Sequence, residues 1–160
     1  MAIVLHHLAF YGPMSDVVGQ AWPAASERPI SYARPAVQMF FVLAGYLVAQ
    51  RLAPEGRPSE SASLSMIVGR YKRLVTPFLF AVALATLITA MVRPWFDHDS
   101  LSDKPTVLQM IAHLFLLHTI LGYESLSAGV WYVAIDFQLF TVTVVLTLLL
   151  RRSPPAWRTA

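Results

Sequence analysis

The chain has 160 residues, of which 56% are hydrophobic and 13% charged, and its mean hydropathy is +0.56. This balance excludes an ordinary soluble domain and directs the reading to a membrane protein. A formal net charge of +3 does not point to nucleic acid, because the basic residues sit beside apolar segments and not on an aromatic-interleaved surface. No cysteine is present, which excludes a disulfide framework, a thiolate metal site and a thiol nucleophile.

In chain order, Ala2 to Tyr11 is apolar but far shorter than the roughly 20 residues a crossing helix needs. No basic region precedes it, as a signal peptide would require, so it reads as the last half of a helix and the chain as an internal piece of a longer protein. Within it, His7 in Val4-Leu5-His6-His7-Leu8 is an ionisable group in apolar surroundings. It serves either as a proton-transfer group or as an interfacial imidazole facing water. His6 points about 100° away, so only one of the pair can face a given site.

Residues 36–52 carry no charge before Arg51 and are expected to span. Their Phe40-Phe41-Val42-Leu43-Ala44-Gly45 stretch reads as helix packing, with Ala44 and Gly45 admitting a neighbouring helix. Residues 53–69, rich in Pro, Ser, Glu and Gly from Pro54 to Ser65, form a flexible linker. Arg70, Lys72 and Arg73 then stand at the foot of a strong span, 74–92, that contains Pro77. Arg70 and Arg73 are three apart and share a helix face, which suits a bidentate grip on phosphate. The plain alternative is charge that anchors topology and meets anionic lipid.

Asp97-His98-Asp99 reads as solvated charge and not as a cation site. Residues 106–122 are interrupted by Gln109, His113 and His118, and the two histidines, five apart, are expected to diverge and make a poor metal pair. No metal site is expected. Residues 130–150 form the second strong span, yet Asp136 lies within it, five residues after Trp131. A carboxylate there needs a partner inside the bundle, in a structural ion pair or a polar active site. Gln138 falls on a different face of that helix. Arg151 and Arg152, followed by Ser153-Pro154-Pro155, mark the end of the helix.

Lysine and arginine accumulate on the cytoplasmic side, which places the loop 53–73, with Arg57 and the Arg70–Arg73 cluster, in the cytoplasm. Residues 12–35 and 93–105 then lie outside, and Arg151, Arg152 and Arg158 belong inside. These placements agree only if 106–122 does not cross. It is therefore expected to be an interfacial or re-entrant segment on the exterior side, buried against protein. The motifs of zinc proteases, P-loop nucleotidases, serine hydrolases and dinucleotide-binding proteins are absent.

Taken in order, these features resemble the membrane-bound acyltransferase-3 family, the integral-membrane O-acyltransferases of bacterial surface glycans. His7 matches the family's first-helix His, Phe40-Phe41-Val42-Leu43-Ala44-Gly45 its FFVLSG segment, and Arg70-Tyr71-Lys72-Arg73 its RxxR with the following Pro77. Trp131-Tyr132-Val133-Ala134-Ile135-Asp136-Phe137-Gln138-Leu139-Phe140 matches its WSLxxExxFY-like segment. Ala44 stands where the family has Ser, Tyr132 replaces another Ser, and Asp136 is one methylene shorter than the usual Glu.

The resemblance implies an all-α integral membrane bundle, with about four spans plus the interfacial or re-entrant helix. Residues 1–160 would be the first half of a ten-helix domain in the bacterial cytoplasmic membrane, inactive alone. It implies acyl-CoA, commonly acetyl-CoA, as donor, docked by Arg70, Arg73 and Lys72. A glycan or lipid-linked saccharide would be the acceptor. His7 would be the general base, with Asp136 orienting or pairing with a basic group. Phe40, Phe41, Gly45, Pro77, Trp131 and Gln138 would be motif residues of the scaffold, and membrane lipids the remaining partners. The rival reading is a transporter or assembly subunit in which Asp136 and His7 line a solute or proton path.

Overall fold

The computed structural model describes residues 13–96, 98 and 101–152. The segment 2–11, with His6 and His7, lies outside the described residues, as do Asp97, Asp99, Trp157 and Arg158. Among the described residues five α-helices follow one another: α1 (Pro13–Ala21), α2 (Pro23–Leu52), α3 (Leu64–Val92), α4 (Val107–Leu114) and α5 (Val130–Arg152). A single 3-10 turn, Pro54–Gly56, lies between α2 and α3, and no strand occurs among the described residues.

Two of these helices, α3 and α5, are long and apolar enough to cross a membrane, and Val37–Leu52 within α2 is a shorter apolar segment. Large apolar side chains such as Phe80, Leu87, Met91 and Leu149 are exposed along them, as a lipid-facing surface requires. The chain is an all-helical membrane bundle.

Two apolar clusters fix how the long helices pack. Phe78 and Val82 of α3 join Val130 and Ala134 of α5, with Leu116 and Leu126 from the segment between α4 and α5. At the other end Leu52 and Ala62 join Phe140 and Val144. The α5 terminus closes this end, because the Arg151 guanidinium donates to the carbonyls of Glu60 and Ala62 at 3.0 and 3.1 Å. Helices α3 and α5 are therefore antiparallel, and the connection 93–129 leaves and returns at one end of the bundle. Within it α4 has only eight residues, about 12 Å of helix. The segment 106–122 does not cross, which removes the conflict among the charged loops.

The linker is shorter than the expected 53–69. Helix α3 starts at Leu64, since Met66 and Ile67 pack on the Leu52–Val144 cluster and tertiary burial extends the helix back through the basic residues. Arg70, Lys72 and Arg73 consequently sit about two turns inside the helix and not at its first residues.

Candidate functional site

Placing the basic cluster on α3 separates its members. Arg70 turns into the bundle, where its Nη2 meets the Asp136 carboxylate at 2.7 Å and its guanidinium carbon lies 4.4 Å from the centre of the Phe140 ring. The ion pair is largely withdrawn from solvent, and the ring supplies a second favourable contact for the cation. The Arg70 Nε is buried and has no hydrogen-bond partner. Lys72 and Arg73 are exposed. Pro77 lies one turn beyond Arg73 and has no N–H to give to the Arg73 carbonyl. The shared face expected for Arg70 and Arg73 thus does not bring their guanidinium groups onto one ligand: Asp136 already holds the first.

A narrow gap of about 30 Å³, room for one water, opens beside that ion pair. Phe41, Ala44 and Gly45 of α2 line it with Asp136, Phe140 and Thr143 of α5. Gly45 was expected to admit a neighbouring helix, but a Cβ built there meets nothing within 4 Å. Its contribution among the described residues is the space itself, because α2 stands off from α5 where Asp136 emerges. Phe40 and Phe41 instead grip the start of α5, their ring centres 6.4 and 5.0 Å from that of Tyr132. Trp131 packs edge-on against the same Tyr132.

The segment between α4 and α5 folds on its own hydrogen bonds. Thr106 and Gln109 form a capping box at the start of α4, and the Gln109 amide also donates to the Glu124 carbonyl at 2.8 Å. His113 Nδ1 donates to the Gln109 carbonyl at 2.8 Å, and its Nε2 accepts the Leu126 N–H at 3.2 Å, an arrangement that requires the neutral Nδ1–H ring. Gln138 ties the turn to α5 through the Leu116 carbonyl at 2.7 Å and Thr119 Oγ1 at 2.9 Å. Asp136 and Gln138 therefore serve different partners.

The two histidines converge. Leu116 adopts φ +57 and is fully buried, and this reversal brings His118 over His113 with ring centres 3.9 Å apart and planes 6° from parallel. Parallel stacked rings, one with both nitrogens in use, still do not make a pair of metal ligands. Burial lowers the pKa of His113; it lowers that of His118 to about 4, with the neighbouring His113 a lesser cause. Neither His118 nitrogen has a hydrogen-bond partner. His98 pairs with Asp16 at 2.8 Å, and no metal-binding group of three ligands occurs among the described residues.

Across all 160 residues the sequence matches the family model described as an acyltransferase domain. The chain belongs to the acyltransferase-3 family. No curated protein and no solved structure matches it. As an acyltransferase-3 protein it is a membrane acyltransferase. The bundle joins Arg70 and Asp136, the residues read above as matching the RxxR and WSLxxExxFY-like segments. Sequence reasoning placed those residues in separate sites, one for the donor and one for catalysis. The signal that could have joined them is that the Asp136 carboxylate, inside one strong span, needs an opposite charge and the basic cluster stands at the foot of the other.

Proposed function

We propose that this acyltransferase transfers an acyl group, commonly acetyl, from acyl-CoA to a hydroxyl of a cell-surface or lipid-linked saccharide. The observation that supports the donor is the division of the basic cluster. With Arg70 committed to Asp136, Lys72 and Arg73 remain exposed in the half of α3 nearer the end where Arg151 meets the 53–63 connection. The excess of Arg and Lys in and around the 53–73 connection supports reading this end as the cytoplasmic one, the side on which acyl-CoA is made. Arg73 is the phosphate fork, Lys72 a point charge beside it, and Arg70 holds the docking helix to α5.

In the reaction the acceptor oxygen attacks the thioester carbonyl. The new C–O bond forms as the C–S bond breaks, and the hydroxyl proton passes through a base to the departing CoA sulfur. His7 is that base by its match to the family motif. The test is donor binding to the full-length protein, measured with and without Arg73→Ala. That change weakens acyl-CoA binding about tenfold or more, the scale of a lost charge-assisted contact, whereas Arg57→Ala, a linker charge of the same sign, does not. Equal effects would leave topology anchoring as the role of the cluster.

A further inference from the structure

At the opposite end of α3 from the basic cluster, a recess of about 490 Å³ opens between the helix and the residues that follow it. Thr86, Thr89 and Arg93 line one side, and Ser102, Asp103 and Lys104 face them; Leu126 forms part of the apolar wall. Arg93 donates to the Ser102 carbonyl, which holds the far wall in place and leaves its other N–H groups available. A second cavity of about 470 Å³ shares Arg93, Asp103 and Lys104, so these three side chains stand between two lobes.

We infer that this recess binds the acceptor, and that the acceptor's recognised group is a saccharide carrying a negative charge. The inference rests on the donor reading above. Among the described lining residues two cations stand against one carboxylate, which favours an anionic ligand, while Asp103 and the hydroxyls of Thr86, Thr89 and Ser102 supply acceptors and donors for sugar hydroxyls. Pro94, Pro105 and Leu126 offer an apolar surface to the C–H faces of a ring.

Position along α3 supports the same assignment. Thr86 and Thr89 lie 13 and 16 residues beyond Arg73, about 20 to 24 Å of helix. An extended pantetheine arm together with the length of the Arg73 side chain covers an interval of that order. A donor gripped at Arg73 presents its thioester at the level where the recess would hold a hydroxyl.

These 160 residues contain no cysteine, so Thr89→Cys, in the full-length protein with any cysteine outside them replaced by serine, places a single thiol in the recess. Its rate of modification by a hydrophilic maleimide, in nanodiscs, reads occupancy by added glucuronate, glucose or acetate, and by phosphatidylglycerol in place of phosphatidylcholine. Glucuronate slows modification severalfold while glucose and acetate do not, and Arg93→Ala or Lys104→Ala weakens that protection about tenfold, as expected for a lost charge-assisted hydrogen bond. Protection by acetate alone makes the recess a simple anion site, protection by phosphatidylglycerol alone makes it a lipid headgroup site, and no protection leaves it empty of function; each of these overturns the assignment. Adding Arg73→Ala leaves glucuronate protection intact. Failure at the recess is therefore distinguishable from failure of the donor reading, which acyl-CoA binding reports separately.

Discussion

Arg70 on α3 and Asp136 on α5, 66 positions apart in sequence, meet at 2.7 Å inside the bundle, with the Phe140 ring against the guanidinium. The pair converts two separate liabilities at membrane depth into one interaction between neighbouring helices. It also determines which cation of the cluster remains exposed for a ligand. Removing a single partner strands the other charge, and this asymmetry leads to the first expectation.

Asp136→Ala or Arg70→Ala destabilises the protein by roughly 3 kcal/mol, the scale for breaking one side of a largely buried pair. Replacing both, as Arg70→Met with Asp136→Leu, recovers most of that loss because neither charge is left alone. Thermal unfolding in detergent compares the four proteins. A double variant as unstable as the sum of the singles would show that the two residues act independently.

The histidine pair gives opposite outcomes for the same chemical change. His113→Leu removes the acceptor of the buried Leu126 N–H, leaving it unpaired, and also the side-chain donor to the Gln109 carbonyl, at a cost of about 1–3 kcal/mol. His118→Leu removes two buried nitrogens that have no partner and is neutral or stabilising. Unfolding temperatures of the two variants decide the matter; a loss at His118 equal to that at His113 would mean that His118 has a partner in the membrane.

The same pair makes stability depend on acid. Burial lowers the His118 pKa from 6.5 to about 4, so between those values the unfolded chain binds a proton that the folded chain does not. Stability is constant above about pH 6.5 and falls as pH drops towards 4, with His113, also lowered by burial, acting in the same direction. Unfolding followed from pH 7 to pH 4 shows this decline, and His118→Leu flattens it. An unchanged slope in that variant would place the titration elsewhere.

Gly45 offers a test of packing against propensity. Because a Cβ there meets nothing within 4 Å, Gly45→Ala is expected to stabilise α2 by about 0.5–1 kcal/mol through helix propensity alone. A clear loss of stability would reveal a helix docked against that face outside the described residues.

The helical membrane architecture was legible from apolar run lengths, and the failure of 106–122 to form a crossing helix from charge counting alone. Asp136 announced its need for a partner because an isolated carboxylate cannot be buried in a span. Its choice of Arg70 was not legible, since pairing across 66 positions depends on the antiparallel register of α3 and α5. That register rests on Phe78 and Val82 meeting Val130 and Ala134. The start of α3 at Leu64 was hidden by Ser- and Pro-rich local composition, which packing of Met66 and Ile67 overrides. The convergence of His113 and His118 escaped helical geometry because α4 ends at Leu114 and Leu116 reverses the chain. His7, the candidate base, remains a reading of the motif, outside the described residues.

The unequal lengths of the two crossing helices carry one more consequence. Helix α3 has 29 residues and α5 has 23, about 43 Å against 35 Å, and Val130 packs near Val82 while Ala62 meets Arg151. The surplus of α3 therefore projects past the start of α5, at the end that carries Thr86, Thr89 and Arg93. Bilayer thickness then sets how far this projection stands clear of the lipid. Short-chain lipids lift the recess into water, and long-chain lipids draw it down among the headgroups. Maleimide modification of Thr89→Cys should accordingly quicken in thin bilayers and slow in thick ones, and a rate indifferent to chain length would show that the recess does not lie at the membrane boundary.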